Sequence, residues 1–185
     1  MSNSANVSVG KPAVAGAIFR APLGTAIPTD AVTALDKAFK GLGHCSDDGL
    51  TNEQSTDTDT VPAWGGATVA TLTKSVKDSF KFTLIEALNI DVLKTVYGDE
   101  NVEGDLKTGI KVKSNATPQE PCVWVIDMIL SGGVAKRIVI PNGAVSEVGE
   151  ISYKDDEVIG YETTLNCMPD TDGNSHYEYL VTKTA

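Results

Sequence analysis

"CVWVIDMIL", residues 122–130, is apolar on both faces apart from Asp127. A strand of this kind needs cover on both sides, which places it at the centre of a sheet. Ser131-Gly132-Gly133 then turns the chain into "VAKRIVI", and Pro141-Asn142-Gly143 predicts another turn, since Asn-Gly is a strong hairpin signal. Further on, Ile159, Tyr161, Thr163, Leu165 and Cys167 share one face of "EVIGYETTLNC". After a "DTDGN" turn at 170–174, Tyr177, Tyr179 and Val181 line one side of a last strand. Upstream, Phe80, Phe82 and Leu84 alternate with Ser79, Lys81 and Thr83, and residues 68–73 and 109–113 add strand-like runs. The pattern predicts an antiparallel meander.

One helix interrupts the strands. In "LIEALNIDVLKTVYG", residues 84–98, Ile85, Leu88, Val92 and Val96 fall on one stripe and Gly98 ends it. A sheet that is apolar on both faces needs a second layer. The fold expected is therefore mainly β, an antiparallel β-sandwich or flattened barrel flanked by one α-helix. A shorter helix is predicted over "TDAVTALDKAFKGLG", residues 29–43, capped by Thr29 or Asp30.

Two segments fall outside this core. "GAIFRAPLGTAIPTD", residues 16–30, carries Ile18, Phe19, Leu23 and Ile27, but Pro22 and Pro28 keep a helix from joining them. It reads as the end of an extended N-terminal arm, residues 1–30, with an edge strand of the chain's own domain as the alternative. Residues 46–60, "SDDGLTNEQSTDTDT", are acidic and Thr-rich without periodicity, which predicts a long mobile loop. Leu50 lies within it and Trp64 follows it. At 185 residues the whole chain, 1–185, fits a single domain with both segments included.

Composition narrows the chemistry. There are 25 acidic residues against 15 Lys and Arg, a formal charge of −10, and no basic cluster. Nucleic-acid binding rests on neutralising phosphates, so specific DNA or RNA recognition is disfavoured. Cys45, Cys122 and Cys167 are an odd set without CxxC spacing, which argues against a disulfide framework. The stretch from Ala13 to Phe19 is too short and too interrupted for a secretory signal. "DTDGN" lacks the glycine and glutamate positions of a calcium loop, and His44 and His176 supply no zinc spacing. No nucleophile elbow, dinucleotide fingerprint or phosphate loop is present. No enzyme, cofactor or metal is expected.

Five stretches keep a distinctive order and spacing across nearly the whole chain, from about Val9 to Leu180: "GAIFRAPLGTAIPTD", "ALDKAFKGLGHCSDDGLT", "AWGG" at 63–66, "FKFTLIEALNIDVLKTVYG" and residues 124–165. In that order and spacing they resemble the major tail, or tail tube, proteins of long-tailed bacteriophages. The resemblance implies a structural protein of the virion tail, assembled in the host bacterial cytoplasm. It implies six copies closing into a ring, and rings stacking into a hollow tube that conducts the genome. Tape measure and tail tip or terminator proteins are the implied partners, and DNA passes the lumen without specific binding.

A ring needs a heterologous interface that closes, and a tube needs a second that does not. Ile18, Phe19, Leu23, Ile27, Leu50 and Trp64 are the expected interface residues. Two other classes share a β-sandwich. A cell-surface adhesion module calls for an export signal, and a carbohydrate-binding module calls for an exposed aromatic platform, whereas Trp124 reads as core.

Overall fold

The computed structural model describes residues 2–13 and 16–182. Val14 and Ala15 of the expected arm lie outside the described residues. The strands are β1 (Gly10–Pro12), β2 (Ile18–Pro22), β3 (Lys40–Gly41), β4 (Cys45–Pro62), β5 (Thr68–Leu84), β6 (Val102–Asp105), β7 (Gly109–Val112), β8 (Cys122–Leu130), β9 (Val134–Val148), β10 (Tyr161–Cys167) and β11 (Tyr177–Thr182). Among the described residues a single α-helix, α1 (Ile90–Tyr97), stands with them, and nine strands form one antiparallel sheet in the order β3-β2-β8-β9-β10-β5-β4, with β1 beside β8 and β11 beside β9. The sheet does not close into a barrel, and β6 and β7 pair separately.

As the doubly apolar run requires, β8 sits at the centre and both its faces are buried. Trp124 and Ile126 join Ile18, Phe80, Phe82, Leu84, Ile138, Ile140 and Leu165 in the larger core, which α1 covers with Val92, Leu93 and Val96. Phe82 meets Trp124 with ring centroids 6.2 Å apart, so the sheet curls until β5 faces β8. Val123 and Val125 point the other way, into a smaller cluster with Ala21, Phe39 and Val139, packed by Phe19, Ile27, Leu35, Tyr177 and Tyr179. Two layers on either side of β8 and β9 are what a β-sandwich needs.

Four expectations change. Residues 18–22 are a strand of the chain's own sheet, with Ile18 opposite Ile126 and Phe19 opposite Val125, rather than a free arm. The alternation of that strand carries Ile18 into the larger core at 1% exposure and sets Phe19 against the smaller one. Residues 29–43 form no helix. Arg137 takes the carbonyls of Asp30 (3.2 Å) and Thr33 (2.7 Å), groups that a first helical turn would have to use itself.

Helix α1 begins only at Ile90, because the Asn89 side chain accepts from the Asp91 N–H as its N-cap; Leu88 is left exposed. Nor does the chain turn at Pro141–Gly143. There β9 continues and changes neighbours, pairing Gly143 with Cys122 on one side and Cys167 on the other. A register shift in the β8–β9 ladder accommodates the proline, which has no N–H to give. Gly143 is needed for close approach: Trp124 Nε1 donates to its carbonyl at 3.0 Å, and a Cβ there would lie 2.8 Å from the indole.

Candidate assembly interface

The segment 46–60, expected as a mobile loop, is instead most of β4. It pairs with β5 from Leu50↔Phe82 to Pro62↔Thr68. β10 reaches β5 only as far as Asn166↔Ser79, so beyond Gln54↔Asp78 the hairpin has no further strand beside it. Eight residues of ladder at strand rise carry it about 27 Å from the sheet. Every residue from 51 to 62 and from 68 to 77 is exposed.

Local chemistry accounts for the hairpin. Threonines face one another at Thr60↔Thr71 and Thr58↔Thr73, β-branched pairs suited to an extended ladder, and Val61 faces Ala70. Lys74 meets Asp59 at 3.2 Å across the strands. The tip closes with Ala63 N–H donating to the Ala67 carbonyl at 2.7 Å and Gly66 N–H to the Ala63 carbonyl at 2.9 Å. Gly65 and Gly66 hold φ of 104° and 89°, which glycine adopts without strain. Trp64 stands at the apex, fully exposed at 107%.

The root is fastened to the core. Asp78, buried, accepts from Asn52 Nδ2 at 2.8 Å and contacts His176 Nδ1 at 2.5 Å. The His176 ring in turn meets Phe80 edge-on at 5.2 Å. A two-stranded ribbon is marginal by itself in water, so this one draws its orientation from the anchored end.

The six expected interface residues do not gather in one place. Trp64 is at the hairpin tip and Leu50 at its base, half-buried against the larger core. Leu23 is 48% exposed in the turn after β2, while Ile27 packs half-buried on the smaller core. Ile18 and Phe19 face inward, as above. The 23–39 segment that carries Leu23 and Ile27 is held down by Arg137, whose guanidinium also grips Asp127 at 2.7 and 2.8 Å.

Chemistry of other kinds finds little purchase. Among the described residues no group of three or more His, Cys, Asp or Glu is placed to hold a metal ion, and no helix is long and apolar enough to cross a membrane. Burial pushes the Cys45 thiol up to about 11, with Glu86 adding to the effect. Burial likewise pushes Cys167 to about 12, with the Asp78 carboxylate contributing. Thiolate nucleophiles need the opposite shift.

What the surface offers is a solvent-exposed ribbon, anchored at its root and ending in an aromatic side chain, suited to docking on another macromolecule. No curated protein matches the chain. A family model described as "Phage tail tube protein" matches residues 1–185, and with the whole length covered the chain belongs to that family of virion tail structural proteins.

Proposed function

We propose that six copies of this chain close into a ring and that rings stack into the hollow tube through which the phage genome leaves. The observation that carries this reading is the exposed hairpin beyond Gln54, a ribbon with no strand packed beside it among the described residues. Natural proteins rarely leave so long a two-stranded edge uncovered, because unpaired edges recruit other chains. Leu23, Ile27, Leu50 and Trp64 supply side chains to the contacts between subunits. Tape measure and terminator proteins meet the ends of the tube, assembly takes place in the host bacterial cytoplasm, and DNA crosses the lumen unbound. The charge of −10 supports that last point, since carboxylates repel phosphates and few cations are available to hold them.

A carbohydrate-binding module is less well supported. Trp124 is 1% exposed, so Trp64 has no second tryptophan with which to form a platform.

Negative-stain microscopy of the purified chain tests the proposal. Six-fold rings or tubes that appear with rising concentration are expected. Monomers at every concentration and salt level, with a tail-tip initiator also supplied, overturn it.

A further inference from the structure

A cleft of about 1320 Å³ opens between the β1–β2–β8 side of the sheet and the first residues of β4, with the 150–160 segment contributing to its lining. Leu50, Ile126 and Met128 give it an apolar lining, and Asp47, Asp48, Glu150 and Glu157 stand in its exposed parts. Carboxylates outnumber lysines in the lining. We propose that the hairpin tip of one subunit, led by Trp64, seats in this cleft on a second copy of the chain. The proposal rests on the tube reading and specifies one contact within it.

Three observations favour this occupant. From Thr60 to Thr73 the hairpin carries no charged side chain, and the flanking Asp59 and Lys74 neutralise each other at 3.2 Å. Such a tip enters an acid-lined cleft without like-charge repulsion, in a protein whose surface is otherwise acidic. Trp64 is the kind of anchor that fills a desolvated pocket, with on the order of 200 Å² to bury. Finally, the tip cannot reach its own cleft. Leu50 lines the cleft at the hairpin's base, and the ladder continues from there to Pro62, up to about 40 Å at strand rise, with register shifts only at Asp57/Thr58 and Val61/Pro62. A tip and a cleft that are different surfaces of one subunit make a heterologous contact between copies, which repeats from copy to copy.

The two tryptophans provide a readout in the unmodified chain. Trp124 is buried and Trp64 is not, so emission quenched by acrylamide in the monomer belongs to Trp64. Assembly is expected to remove most of that quenching. Trp64→Ala, which disturbs no core, is expected to raise the concentration needed for assembly about 30-fold, as loss of an interface hot spot does. With p-benzoylphenylalanine at position 64, photolysis of assembled protein should join it to peptides of another copy containing residues 44–50 or 126–128. Tubes in which Trp64 stays as quenchable as in the monomer, or cross-links that fall elsewhere, overturn this contact and leave the tube reading intact. A chain that never assembles overturns both.

Discussion

Arg137 ties two layers of the molecule together through one guanidinium. Its side chain is 6% exposed, it grips Asp127 with two hydrogen bonds, and its remaining nitrogen holds the Asp30 and Thr33 carbonyls. Removing one partner of a buried pair leaves the other uncompensated, at about 3–5 kcal/mol. Arg137→Ala is therefore expected to lower the melting temperature by about 10 °C in a chain of this size. The paired replacement of Arg137 by Met and Asp127 by Leu should recover much of the loss in the same melt.

Beside it, hydrogen bonds from the Thr33 hydroxyl, and then from the Thr33 and Val32 N–H groups, hold the Asp30 carboxyl at about 2, below its ordinary 3.8. A depressed carboxylate stabilises fully above the ordinary value, and its contribution is lost as pH falls through the folded one. The melting difference between wild type and Asp30→Asn should thus be complete above pH 3.8 and vanish near pH 2. The raised thiols act at the other extreme. Folding protects them from ionisation, so stability should decline above pH 9.0 as the unfolded chain begins to lose those protons.

Among the elements, the hairpin and the core separate cleanly. Replacing residues 55–77 with Asn-Gly keeps the Gln54↔Asp78 pair and supplies a two-residue turn. The shortened chain should melt within a few degrees of wild type yet fail to form tubes in micrographs. Helix α1 is expected to respond in the opposite sense. Asn89→Ala removes its N-cap and should cost about 1 kcal/mol by urea denaturation.

How far these elements were legible depends on whether one of their faces is buried. β8, β10 and the inner half of β5 announce themselves because burial writes an apolar pattern into them. β4 leaves no such trace: with both faces in water, its residues need only fit an extended backbone, so the acidic threonine run looks like a loop. The threonines themselves and the Trp64-Gly65-Gly66 turn were the available signal. Helix 29–43 misled for the complementary reason. Leu35 and Phe39 do reach the core, but a distant arginine claims the carbonyls. No local pattern encodes that claim.

For the whole molecule, charge sets the conditions of assembly. Subunits each carrying −10 repel as they approach, and added salt shortens the range of that repulsion to about 10 Å at 0.1 M. The onset concentration for tubes, measured by sedimentation, should fall as salt rises from low to physiological levels. An onset that rises with salt would point instead to attraction between charged surfaces.

The separation of hairpin from core also bears on which mutations the protein tolerates. Residues 54–76 are exposed apart from half-buried Ala63, and contribute little to what keeps the subunit folded. A mutational scan scored by soluble expression should find nearly every change in that stretch harmless. The same library scored by infectious particles should find many of them lethal. Subtracting one map from the other would draw the outline of the tube contacts on the sequence, one residue at a time.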